Sequence, residues 1–359
     1  MTRPLRARIH VDALAHNLAR VRALAPASRV LAVVKADAYG HGLEAAARAL
    51  ADADGFGVLS LEEAGILRRL GVQGPVWLLE GFFEPAELPH CAALGLTLAL
   101  HHARQLEQLA AAGVRGLKIW VKLDTGMHRL GFPPAELGAV LARLRGLPGV
   151  EVAGVLSHLA CADDPADPAT PGQLARLRAA VRGTWQGPLS LANSAGVAAW
   201  PDTHLDWVRP GIMLYGASPL AGRGAADLGL RPAMTLEGEL IAVNRLGKGD
   251  RVGYGGTWTC PEDMPVGVVA CGYGDGYPRH AATGTPVLVG GRRVPVAGRV
   301  SMDMITVDLR PAPDARPGDR VVLWGEGLPV DDVAACAGTI SYELLTGVTR
   351  RVPREAAHG

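Results

Sequence analysis

Lysine is scarce in this chain. Only Lys35, Lys118, Lys122 and Lys248 occur, and arginine supplies nearly all the remaining positive charge. A codon bias that turns dispensable lysines into arginines leaves the survivors enriched where a primary amine is needed. Cysteine is sparse too: five residues, none in CxxC spacing. That speaks against a disulfide framework or a zinc site and fits a reducing cytoplasm. The thiols are expected as small core residues. Neither sign of charge is in excess, the formal net charge being +1, so the basic footprint of a nucleic-acid partner is missing. No apolar run reaches the length of a membrane span. Residues 1–17 carry arginines but no uninterrupted apolar stretch, so no secretory signal is expected. There is no internal repeat and no low-complexity tract.

Against these absences stands the segment 29–42, RVLAVVKADAYGHG. Val30 to Val34 is a continuous apolar run without a period of two, as in a parallel strand buried on both faces. Lys35 ends it, followed by a loop and a helical pattern from Leu43. An amine, unlike a guanidinium, can lose its proton and attack a carbonyl to form a Schiff base. A lysine snorkelling from a strand end is the alternative reading of this local pattern.

The surrounding chain alternates. A short strand at 6–11 precedes a helix at 13–24 with Asp12 placed as its N-cap. Strands follow near 30–34, 56–60, 76–79, 96–100, 117–123, 152–157, 189–192 and 207–215, with helices between them at 43–51, 61–70, 103–112, 135–147 and 173–181. This is the pattern of a (β/α)8 TIM-type barrel, with a doubly wound open sheet as the other candidate, because periodicity does not show closure. After about Ala225 the texture becomes Gly-punctuated and alternating, as in a mainly β domain with one late helix at 330–337. The expected division is a barrel over 1–225 and a mainly β domain over 226–359, with the first strand, about 1–11, open to pairing with the second domain.

In a barrel, chemistry collects at the C-terminal strand ends. Lys35 ends the first strand there, and Lys122 the fifth, followed by Asp124 and Arg129. Ser157-His158 end the sixth, Asn193-Ser194 the seventh, and Arg209 with Gly211-Ile212 the eighth. Ser194 and Gly211-Ile212 occupy the usual phosphate position of such barrels. A phosphate site plus an imine-forming lysine suggests pyridoxal phosphate.

Nine segments, AVVKADAYGHG, VKLDTGMHRLG, SHLACAD, ANSAG, VRPGIMLYG, VGYGGTW, GYGDGYPR, SMDM and TISYELLTGVTRRVPR, run in order from one end of the chain to the other. Together they resemble the alanine racemases. The resemblance implies a cytoplasmic, PLP-dependent homodimer whose active sites each combine one barrel with the β domain of the other subunit. It implies racemisation of alanine by two bases, supplying D-alanine for peptidoglycan or serving D-alanine catabolism. Lys35 matches the lysine that carries the cofactor and acts as one base; Tyr254 matches the opposing base. His158 matches the residue packed on the pyridine ring, and Arg209 the arginine facing its nitrogen. Tyr39, Asn193, Ser194, Gly211, Ile212 and Tyr342 match cofactor-binding positions. Arg129 and Met302 match the carboxylate contacts, and Tyr273 and Asp303 match positions at the entrance and in the layer behind the contact residues. Lys122 matches a lysine that carries a carbamate in the family. One departure is Ser190, where many members have a histidine supporting the pyridine-facing arginine. Three other readings stand beside this one. They are a PLP-dependent decarboxylase, which would need an acid in place of Arg209; a non-catalytic PLP-binding protein, which predicts a lone barrel; and a racemase of broader scope, acting on serine or larger side chains.

Overall fold

A computed structural model describes residues 3–357. Eight parallel strands close on themselves: Arg29–Val33, Gly55–Val58, Val76–Leu78, Thr97–Leu100, Leu117–Lys122, Val150–Leu156, Leu189–Ser190 and Trp207–Val208. Closure is made by the first and last of them, Arg29 opposite Trp207 and Val30 opposite Val208. The architecture is therefore a barrel, and the open-sheet alternative falls. The apolar run Val30–Val33 is buried throughout, because helices cover its outer face and the barrel interior its inner one.

The inner core is an aromatic plug. Trp77, Trp120 and Trp207 pack with Leu31, Ala99 and Leu156 in a cluster of their own. The Trp77 ring lies 4.3 Å from that of Trp120 and 5.3 Å from that of Trp207. Gly154 makes room for it, since a Cβ there would overlap the Trp120 ring. Strand periodicity then dictates what lies above. Two residues beyond Leu31, Trp77, Trp120 and Trp207 come Val33, Leu79, Lys122 and Arg209, which all line the cavity over the plug.

The second unit is an eight-stranded sheet built around the long strand Met234–Leu246. Leu5–His10 lies in this sheet, antiparallel to Met234–Leu246 and parallel to Arg354–Ala357. A small hairpin, Arg251–Val252 with Trp258–Thr259, projects from it. Two helices follow, Val330–Cys336 and Ser341–Gly347. Among the described residues no helix is long and apolar enough to cross a membrane.

Several local expectations are corrected. Asp12 is not the N-cap: the helix Val11–Leu24 begins two residues earlier than expected, with His10 at the N-cap position, and Asp12 sits in its first turn, where a carboxylate favours the positive helix end. The last barrel strand covers only Trp207–Val208; Pro210 cannot donate to a ladder, and Ile212–Tyr215 coils into a 3-10 turn. The helix Ser341–Gly347 is a second late helix, too short at seven residues for its period to stand out.

Candidate active site

One cavity of about 690 Å³ opens at the C-terminal ends of the barrel strands. It gathers Lys35, Tyr39, Lys122, Arg129, His158, Asn193, Ser194, Arg209, Gly211, Ile212 and Tyr342. Tyr254, Tyr273, Met302 and Asp303 do not line it.

Lys35 enters the cavity through an unusual backbone. Ala36, Asp37, Ala38 and Tyr39 all have φ between 52° and 54°. For non-glycine residues this left-handed winding costs about 1–2 kcal/mol each, so the surrounding fold must impose it. Gly40 extends the turn at φ 80°, and a Cβ there would overlap the Leu345 carbonyl. The C-terminal helix thus presses directly on the lysine turn. Leu43 N–H donates to Asp37 Oδ1 (2.7 Å), and Arg354 Nε to the Gly40 carbonyl (2.6 Å).

Hydroxyls and backbone form a cradle opposite. Ser194 Oγ accepts from Gly211 N–H (2.9 Å) and Met213 N–H (3.4 Å). Asn193 caps the helix Ser194–Ala199 by accepting from Gly196 N–H (3.0 Å). The Tyr39 hydroxyl lies where a side chain at position 211 would begin, so glycine is required there. The Tyr342 ring sits 5.9 Å from that of Tyr39. Burial raises the pKa of both phenols, so they stay protonated as donors.

Arg209 is buried and held from several sides. It donates to Ser190 Oγ (2.5 Å), the Ser157 carbonyl (2.6 Å), His158 Nδ1 (3.1 Å) and the Leu191 carbonyl (3.3 Å). Burial lowers its pKa to about 10, still cationic at neutral pH. A guanidinium only donates, so His158 Nδ1 must accept and its proton resides on Nε2. Burial and the nearby Arg209 hold His158 well below the usual histidine range, hence neutral. Ser190 in turn donates to the Trp207 carbonyl (2.8 Å). The residue standing in for the usual histidine therefore does support the arginine. Replacing Ser190 with Ala should remove one charge-assisted hydrogen bond and cost about 1.5–3 kcal/mol. Thermal unfolding and kcat should both fall; an unchanged pair would show the contact to be idle.

Cations dominate the electrostatics. Burial, with Arg209 and Arg129 nearby, pulls Lys122 down to about 8, against a weaker opposing effect of Glu80. Arg129 leaves the fifth strand on a turn shaped by Asp124, whose Oδ1 accepts from Gly126, Met127 and His128 N–H groups at 2.9–3.0 Å. A pocket of this charge suits a ligand carrying both a phosphate and a carboxylate.

The other expected residues stand elsewhere. Tyr254 occupies the tip of the hairpin and is 69% exposed; Tyr273 and Met302 are also exposed. Asp303 pairs with Arg351 at 2.6 Å. The sequence alone did not mark Gln173, Glu80 or the rim residues Thr339, Ile340, Glu343 and Thr346. Gln173 donates to the His158 carbonyl (2.8 Å). The rim residues lie within or beside the TISYELLTG segment, the one signal that could have marked them.

Models of two domain families match the chain: alanine racemase, N-terminal domain, over residues 9–219, and alanine racemase, C-terminal domain, over 233–356. An alanine racemase of Nitrosococcus oceani is 55% identical over 96% of this chain and 97% of its own. A protein of Pseudomonas aeruginosa named as biosynthetic alanine racemase is 51% identical, over 99% of this chain and all of its own. The crystal structure of biosynthetic alanine racemase from that organism superposes with a TM-score of 0.97 at 51% identity, covering 99% and 100% of the two chains. The alanine racemase structure from Acinetobacter baumannii gives 0.93 at 40% identity, with the same coverage.

Proposed function

Because the chain belongs to the alanine racemase family, and is thus an isomerase of alanine, we propose that its cavity holds pyridoxal phosphate and works with two bases, Lys35 and Tyr254 of a second copy. The observation that carries this reading is the convergence of Lys35, Lys122, Arg129 and Arg209 on one cavity beside a hydroxyl cradle.

The residues fit the cofactor. Ser194, Tyr39, Tyr342 and the backbone at Gly211-Ile212 would hold its phosphate, and the missing Cβ of Gly211 leaves the cradle open. His158 would pack on the ring. Arg209 would hold the pyridine nitrogen, and having no proton to give, it would leave that nitrogen unprotonated. When bound, the group supplies an aldehyde for a primary amine and an electron sink beside the substrate α-carbon.

The chain's own groups do the rest. Arg129, with the backbone N–H of Met302 from the second copy, holds the substrate carboxylate and so fixes which bond is exposed. Lys35 Nζ exchanges the α-proton on one face. The Tyr254 phenol exchanges it on the other, and inversion follows because the two act from opposite sides. Tyr273 and Asp303 of the second copy border the entrance. An exposed Tyr254, Tyr273 and Met302 on a chain whose own cavity they do not reach supports a homodimer with shared sites. Five free cysteines support a cytoplasmic location. The biosynthetic designation of the Pseudomonas aeruginosa relative supports a D-alanine-supplying role. The decarboxylase reading fails on Arg209, which four acceptors lock in place, and the lone-barrel reading fails on the β domain.

Borohydride reduction of the holoenzyme followed by peptide mapping tests the assignment: label should sit on Lys35, and label on another lysine refutes it. A panel of amino acids read by chiral chromatography separates a strict alanine racemase from one that also accepts serine.

Lys122 is the proposed carbamate site. With its pKa near 8, about a tenth of the amine is neutral at pH 7. Attack of Nζ on carbon dioxide forms an N–C bond, releases a proton and leaves an anion among Arg129, Arg209 and Lys35. Carbon NMR in 13C-bicarbonate should show a carbamate resonance that Lys122→Ala removes. A spectrum unaltered by that substitution would place the modification elsewhere.

A further inference from the structure

The left-handed turn after Lys35 is braced from both sides by two buried rings that the mechanism above does not use. Before the lysine, the Tyr215 hydroxyl donates to the Val33 carbonyl at 2.9 Å. Beyond the turn, His41 Nδ1 lies 2.9 Å from the Tyr39 carbonyl and 3.0 Å from that of Ala38. The Tyr215 ring joins the two braces. Its centroid is 4.6 Å from the ring of Tyr39 and 4.6 Å from the ring of His41. Tyr215 is 1% exposed and so is His41.

The chemistry of His41 is constrained. Carbonyl oxygens only accept, so Nδ1 must carry the proton. Nε2 is buried with no hydrogen-bond partner among the described residues. A protonated ring would thus place an unsatisfied donor and a charge in the core, and burial indeed holds the ring neutral, with its pKa pulled down to about 4. The polar contacts of both rings go to the backbone around Lys35 rather than to distant parts of the fold. Tyr215 also ends the 3-10 turn that begins at Ile212, so the same stack ties the lysine turn to the cradle.

We propose that His41 and Tyr215 are positioning residues for the racemisation: they hold the left-handed turn so that Lys35 and Tyr39 enter the cavity in fixed register with Ser194 and Gly211. The inference rests on the reading of Lys35 as the cofactor-bearing base. Misplacing a catalytic group by about 1 Å can cost roughly a hundredfold in rate, and that is the scale on which the brace acts.

Three variants of the holoenzyme test it. His41→Phe keeps a ring in the stack and removes the donor; His41→Asn keeps an N–H near the Nδ1 position and removes the ring. Tyr215→Phe deletes one oxygen. Measured together are kcat in both directions, KM for alanine, the visible circular dichroism of the bound cofactor and thermal unfolding. His41→Phe should lose about ten- to a hundredfold in kcat with KM changed less than about twofold, and should alter the dichroic band. His41→Asn should regain most of the rate and the band even where it melts earlier, which a packing role would not produce. Tyr215→Phe should alter the band in the same direction, and it keeps the question answerable should His41→Phe not fold. The inference is overturned if His41→Phe retains rate and dichroism while only its melting temperature drops, if His41→Asn is as impaired as His41→Phe, or if Tyr215→Phe leaves the band unchanged. Borohydride mapping separates the two levels. Label off Lys35 in the unmodified enzyme removes the underlying reading. Label on Lys35 in every variant, with rates unchanged, removes only the brace.

Discussion

Mixing two inactive variants, Lys35→Ala and Tyr254→Phe, should restore about a quarter of the unmodified activity. On the proposed mechanism each variant alone removes one of two bases, and loss of a positioned acid–base group costs about 10²–10⁴-fold. The structure places these groups far apart in character. Lys35 lies inside the barrel cavity, while Tyr254 stands at the tip of a hairpin with 69% of its surface exposed. On the proposed mechanism Tyr254 needs the cavity, and the cavity needs a second base. A twofold dimer satisfies both. In a hybrid dimer one site carries both defects, and the other pairs an intact Lys35 with an intact Tyr254. Random mixing makes about half the dimers hybrid, each with one good site of two, hence the quarter. The measurement is racemase activity after co-refolding, with hybrid formation verified by differential tagging. Hybrids that form and yet stay inactive would show that the site is built within one chain.

The second large effect is expected at Arg209. Arg209→Ala should lower kcat/KM by about 10²–10³, the usual scale for removing a preorganised electrostatic group. Four acceptors converge on the guanidinium, among them two backbone carbonyls and a neutral imidazole. Without the cation they are left facing an empty space and, with the cofactor bound as proposed, its pyridine nitrogen. Arg209→Glu is the more informative change. A carboxylate set against the Ser157 and Leu191 carbonyls is raised in pKa and becomes a proton donor. With the cofactor bound as proposed, a carboxyl at position 209 would let its ring nitrogen be protonated, which would strengthen its electron sink and favour side reactions over racemisation. Pyruvate formed per D-alanine formed should rise in Arg209→Glu. An unchanged ratio would remove Arg209 from control of the reaction's outcome.

Much of this was open to inspection along the chain, and the reason is geometric. In a parallel barrel all strands point the same way, so the residue after each apolar run arrives at the same rim. Lys35, Lys122, His158, Asn193 and Arg209 could be placed together from the alternation of strands and helices alone, and the structure puts them in one cavity. The lysine-poor composition narrowed the candidate amines to Lys35, Lys118, Lys122 and Lys248, of which Lys35 and Lys122 line the cavity. These are properties of local order, which hydrophobic period and strand direction transmit without reference to distant residues.

Other features came from contacts that local order does not encode. Closure of the barrel depends on Arg29 and Val30 meeting Trp207 and Val208 across most of the domain. The N-terminal strand sits in the sheet of the second unit because its edges pair with Met234–Leu246 and Arg354–Ala357. The left-handed run from Ala36 to Tyr39 contradicts the intrinsic preference of every residue in it. It exists because Tyr215, His41 and the C-terminal helix enclose it. Ser190, a departure when compared with the family pattern, becomes a partner once Arg209 and the Trp207 carbonyl are brought to either side of its hydroxyl. A side chain's period tells which face it takes. Its partner, and the strain it can sustain, are set by segments folded against it from elsewhere in the chain.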